Sequence, residues 1–212
     1  MGESDRESGG AKAPPPANPQ SPVEVLRFWF ALERPGKKDD GRVRAALEAH
    51  YEQARDGRLA GWAAAPRTRL ALVLLLDQVP RHLFRERPEA FSTDPQAQVL
   101  TGRFVEREDW HGFAPLERYY AAVPWMHAED EALQRRVNPL IHVLAAEDAS
   151  LAVSAGIADL YWETIRRFGR FPHRNAVLGR DSTPEELAFL DGEWPRLKRA
   201  VYAALEEDGE EV

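Results

Sequence analysis

Apolar residues recur at helical spacing, three or four positions apart, along most of this 212-residue chain. Ser21-Pro22-Val23-Glu24 places an N-capping hydroxyl three residues ahead of a carboxylate, with Pro at the first helical position. It predicts a helix to about Leu32 with Val23, Leu26 and Phe30 on one face. Val43, Leu47, Tyr51 and Ala54 predict a second helix over Gly41–Arg58. A third, Arg67–Val79, contains the unbroken apolar run Leu70–Leu76, so wide a surface that burial on most sides is expected. Pro80 is expected to end or kink it.

Asp94-Pro95 opens a fourth helix to about Glu108, with Val99 and Phe104 inward, and Pro115 opens a short fifth closed by Pro124. A sixth begins near Ala128, carries Leu133, Val137, Leu140 and Ile141, and bends at Pro139. The seventh runs from Ser150 to Phe168 and stops at Gly169, a residue suited to a left-handed cap. Thr183-Pro184-Glu185-Glu186 is a second capping box, opening a helix through Leu190, and a last helix covers Pro195–Glu206. No segment alternates as a strand would, and no strict 34-residue period exists. About nine helices joined by short turns predict an all-α fold of antiparallel helical hairpins stacked in layers.

Composition narrows the classes. The absence of cysteine excludes disulfides, thiolate metal sites and cysteine nucleophiles. No apolar run reaches the roughly 18 residues of a membrane helix, and the first residues lack the apolar stretch of a signal peptide, so a cytoplasmic protein away from membranes is expected. Of the net charge of −7, the segment Glu206–Val212 supplies five acids and no base, leaving a nearly neutral body. Nothing in that balance supports binding to nucleic acid. The expected organisation is a disordered tail over 1–20, one helical domain over 21–205, and an acidic tail over 206–212. The oligomeric state leaves no mark in the sequence.

Three segments break the pattern of polar surface and apolar core. In the first, Asp77, Gln78, Arg81 and Arg85 end the most apolar helix, where burial forces charges to pair or to face a polar hollow. In the second, Pro124-Trp125-Met126-His127-Ala128-Glu129-Asp130 brings an imidazole and two carboxylates to a helix start. The carboxylates suit the helix dipole, and a metal site at His127 and Glu129 lacks the usual ligand spacing, so no metal or cofactor is expected. In the third, Arg166 to Arg180 holds five Arg, His173, Asn175 and no acid. Planar guanidinium groups match carboxylates and phosphates, and Phe171-Pro172 fixes an extended backbone between them.

Two readings of this cluster stand side by side. In one, Arg170 and Arg174 clamp helix ends by pairing with Asp77, Glu129 or Asp130. In the other, Arg81, Arg85, Arg170, Arg174 and Arg180, with Asp77, Gln78, His127, Glu129, His173 and Asn175, line a pocket for an anionic small molecule or a peptide carboxylate. A third possibility makes the site an enzyme, with His127 or His173 as acid/base beside Glu129 and Arg stabilising negative charge. No nucleophile motif, phosphate loop or cofactor fingerprint supports it. A scaffold for partner proteins rests on fold analogy alone.

VLRFWF (Val25–Phe30), LDQVPRHLFR (Leu76–Arg85), PWMHAED (Pro124–Asp130) and RFGRFPHRNAVLGRDSTPEE (Arg167–Glu186) together resemble, in order, the signatures of the bacterial domain of unknown function 924 family. The resemblance spans roughly residues 22–190. It implies a tetratricopeptide-like helical array and no established activity. His82 stands where that family usually has Asn, Trp125 where it has Phe, and Tyr161 where a His is common.

Overall fold

The computed structural model describes residues 16–32, 35–107 and 109–207. Its elements are α1 (Pro22–Phe30), α2 (Asp40–Arg55), α3 (Pro66–Leu83), α4 (Asp94–Arg107), α5 (Pro115–Met126), α6 (Glu131–Glu147), α7 (Ala152–Phe168), α8 (Pro184–Ala188) and α9 (Trp194–Glu207), with short 3₁₀ turns between several of them. No strand occurs among the described residues, so the fold is all-α. The expected tails at 1–15 and 208–212 lie outside the described residues, while Glu206 and Glu207 belong to the last turn of α9.

Local chemistry sets most of the ends. The Ser21 hydroxyl accepts the Glu24 N–H, and the Glu24 carboxylate accepts the Gln20 N–H. Asp130 caps α6 by accepting the Leu133 N–H at 2.9 Å. Gly169 closes α7 at φ +67°, a conformation that costs glycine nothing. Thr183 and Glu186 form the reciprocal capping box that opens α8.

Prolines depart from expectation. Pro80 lies inside α3, which continues to Leu83. A proline has no N–H for the carbonyl four residues back, which is that of Leu76. The buried Thr93 hydroxyl donates to that carbonyl instead, so the helix survives. Pro124 likewise lies within α5. Between α8 and α9 the chain does not stop; it widens into a π-helical turn over Phe189–Glu193 just ahead of Pro195. Val99, expected inward, is 62% exposed, because α4 turns Ala97, Leu100, Thr101 and Phe104 to the core instead.

The core forms around α3. Leu70, Ala71, Val73, Leu74 and Leu75 are fully buried, and the helix packs against α1, α2, α4 and α5. Consecutive helices α5, α6 and α7 pack in sequence, and α9 lies on α7. No helix among the described residues is long and apolar enough to cross a membrane. The consequence for the site is positional: the polar end of α3, the end of α5 and the turn after α7 meet.

Candidate functional site

Asp77 and Arg81 stand one turn apart on α3, and Asp77 is completely buried. His127, the residue that caps the C-terminus of α5, brings its Nδ1 to 2.8 Å from the Asp77 carboxylate, which also accepts the Gln78 amide. Arg81 forks onto Asp94 at 2.8 and 2.9 Å and donates to the carbonyls of Asp77 and Ala90. Arg174 arrives from the other direction. The left-handed Gly169 turns the chain, Phe171 is extended ahead of Pro172, and the 3₁₀ turn Pro172–Arg174 delivers the guanidinium.

Arg174 is 7% exposed, and its guanidinium has few polar partners among the described residues. Its Nη1 donates to the His127 carbonyl at 3.0 Å, and Asp94 stands at 3.8 Å. The rings of Phe91 and Phe171 lie 4.8 and 4.4 Å from its centre, so aromatic faces rather than anions surround it. Tyr161 completes the wall, its ring 5.0 Å from that of Phe171 and 6.5 Å from that of His127.

Electrostatics separates the two cations. Burial would lower the Arg81 pKa, but Asp77 and Asp94 outweigh it and hold the charge firmly. Arg174 moves the other way: burial first, then repulsion from Arg81, lowers its pKa despite Asp94. Burial alone would raise the Asp77 carboxyl; attraction to His127 and Arg81 reverses that and keeps it ionised far below the ordinary range.

The remaining predicted residues go elsewhere. Glu129 accepts from both Nη atoms of Arg180 and from the Phe171 N–H, which lowers its pKa against the opposing effect of burial. Arg180 also donates to Asn175 and the Phe171 carbonyl. Arg170 forks onto Glu186 at 2.7 and 2.8 Å, and Asn175 adds an amide to the same carboxylate. Those bonds, led by Arg170, hold Glu186 down at about 2. This second network ties the turn after α7 to α8. Arg85 is more distant still, forked onto Asp40 together with His82. Asp40 therefore staples the end of α3 to α2.

His173 stacks on Trp194, ring centroids 4.4 Å apart and 15° from parallel. Burial, then the charges of Arg174 and Lys198, push its pKa down to about 3, so the ring is neutral. It lines a cleft of about 300 Å³ with Ile157, Leu160, Tyr161, Trp194 and Lys198. No group of three or more His, Asp or Glu among the described residues is placed to hold a metal ion.

The structure thus brings together Asp77, Gln78, Arg81, His127 and Arg174, and separates from them Arg85, Arg170, Arg180, Glu129 and Asn175. Sequence reasoning missed Phe91, Asp94 and the wall role of Tyr161. Asp94 looked like a helix start, and only its 7% exposure marks it as an internal partner. Chemically the inner cluster offers a guanidinium with unspent donors. It also offers an imidazole whose Nε2 has no partner among the described residues, its Nδ1 side being held by a buried carboxylate.

A solved structure of a protein of unknown function, ATU0120, from Agrobacterium tumefaciens is 30% identical, covering 80% of this chain and 96% of that one with a TM-score of 0.72. No curated protein matches. The family model described as a bacterial protein of unknown function, DUF924, matches residues 21–193, a span that contains every residue of both networks. The chain belongs to the DUF924 family.

Proposed function

We propose that this protein binds a small anionic molecule, a carboxylate or the carboxylate end of a peptide, at Arg174 beside His127 and Tyr161. The observation that carries the reading is the state of Arg174: nearly buried, repelled by Arg81, and with one full hydrogen bond to a neutral carbonyl. A buried cation is costly unless an anion and hydrogen bonds compensate it. Asp94 is shared with Arg81 and is 3.8 Å away, so the compensation is incomplete without a ligand. An anion docking there would gain charge-assisted hydrogen bonds in a poorly solvated place.

Titration calorimetry of the full chain with acetate and with inorganic phosphate tests this. The expected result is binding of one of them that disappears in Arg174→Met, while the variant keeps its helical circular dichroism. Equal heats from the variant, or none from either protein, would overturn the reading.

A second reading has one specific observation behind it. Asp77 holds the Nδ1 side of the His127 ring, and Nε2 has no hydrogen-bond partner among the described residues, the arrangement of an oriented general base. Glu129 and His173 do not share that role, the first being bound to Arg180 and the second neutral in a ring stack. Activity of the full chain toward a carboxylate-bearing ester, lost in His127→Ala and reduced at least tenfold in Asp77→Asn, would support it. Unchanged rates in both variants would overturn it.

A further inference from the structure

Only part of the Arg174 guanidinium is left for a ligand. Its Nη1 donates to the His127 carbonyl at 3.0 Å and stands 3.8 Å from the Asp94 carboxylate. The ring centroids of Phe91 and Phe171 lie 4.8 and 4.4 Å from its central carbon. Nε and Nη2 make no hydrogen bond among the described residues. These two groups share one edge of the guanidinium, a fork that matches the two oxygens of a single carboxylate.

Arg81 cannot extend that fork. It lies over the same Phe91 ring, 5.4 Å from the centroid, but its Nη atoms already hold both oxygens of Asp94 and the carbonyls of Asp77 and Ala90. Glu129, whose charge also reaches Arg174, is forked onto Arg180. The inner cluster is therefore balanced before a ligand arrives: Arg81 and Arg174 face the two carboxylates Asp77 and Asp94. Attraction to Arg174 rises in proportion to the charge of the ligand, whereas the hydration lost on burial rises with its square. Asp94, 7% exposed and beside the same guanidinium, repels every charge that is added. One negative charge can be bound on those terms, and a second loses more hydration than it gains in attraction.

Resting on the anion-binding reading above, we propose that Asp94 is the selectivity residue of this site and restricts the ligand to one negative charge. The ligand class is a monocarboxylate held side-on by Nε and Nη2 of Arg174. Sulfate, and phosphate in its doubly charged form, are rejected by the carboxylate already present on the Nη1 side. Asp94 touches both guanidinium groups and not the ligand, so its role shows in which anion binds.

Calorimetric titration of the full chain with acetate, methanesulfonate and sulfate at equal ionic strength reads the charge preference. Methanesulfonate keeps the tetrahedral shape of sulfate with one charge fewer, which separates shape from charge. Acetate is expected to bind most tightly, and sulfate at least tenfold more weakly than methanesulfonate. In Asp94→Asn the gap between the last two should narrow at least tenfold, and Asp94→Ser, which also removes the charge, should repeat that result. In the parent alone, sulfate binding as tightly as methanesulfonate, and lost in Arg174→Met, would overturn the selectivity and leave the anion site standing. A gap that stays unchanged in either folded Asp94 variant would overturn the assignment to Asp94. If none of the three anions binds, the anion-binding reading fails as well.

Discussion

Arg174 and Arg180 leave the same turn segment six residues apart and meet opposite fates. Arg180 has a carboxylate on its fork, an amide oxygen on Nε and a carbonyl besides. Its removal would strand Glu129, half-buried and bound otherwise, among the described residues, only to the Phe171 N–H. Arg180→Met is therefore expected to cost about 1–3 kcal/mol, discounted from a fully buried pair because both partners keep a quarter of their side-chain exposure. Arg174→Met should change stability by less than about 1 kcal/mol, since the loss of a stack on Phe91 and Phe171 is offset by relief of burial and of repulsion from Arg81. Urea unfolding of the two variants side by side measures the contrast, and equal losses would contradict it. This contrast could not be read from sequence. Five arginines in fifteen residues are equivalent there, and which one lacks a carboxylate depends on Glu129, Glu186 and Asp94 arriving from three other parts of the chain.

Helix α3 shows how an element outlasts the residue that should break it. The Leu76 carbonyl loses its N–H partner to Pro80 and gains the Thr93 hydroxyl from the turn before α4. Thr93→Val should leave that buried carbonyl unpaired at a cost of about 1–3 kcal/mol. In a Pro80→Ala background the alanine N–H can take over, so the same substitution should cost less by roughly 1 kcal/mol. A double-mutant cycle by chemical denaturation measures the coupling, and additive losses would show that Thr93 has no such role. The starts of α1 and α8 and the end of α7 were legible because a cap is local: Ser21, Thr183 and Gly169 act within a few residues. The continuation of α3 past Pro80 was not, because its rescue comes from a residue thirteen positions away. Val99 misled for a related reason: apolar character suggested an inward position, but packing against α5 sets the phase of α4 by Ala97, Leu100 and Phe104.

Across the whole molecule, the same burial that shapes the cleft makes folding sensitive to acid. His173 titrates at about 3 in the folded chain, against 6.5 for a free imidazole, chiefly through burial and then through Arg174 and Lys198, with weak opposition from Glu129. His82 and His50 are lowered as well, each first by burial, although Asp40 works against the shift at His82. Below pH 6.5 the unfolded chain takes up protons that the folded chain refuses, so stability falls as pH falls, at no more than about 1.4 kcal/mol per pH unit for one such group. The carboxylates act later in the same direction. Glu186, held at about 2 against 4.5 when free, contributes stability that is complete above pH 4.5 and is lost as pH drops toward 2. The interval from pH 6.5 to 5 thus belongs to the histidines and separates them from the acids. Urea midpoints should decline from pH 7 to pH 5, and His173→Phe, which keeps a ring against Trp194, should remove up to about 2 kcal/mol of that decline. A variant with the parent's full slope would mean that His173 takes up its proton without unfolding, and the cleft would then carry a charged imidazole beside Lys198 in mild acid.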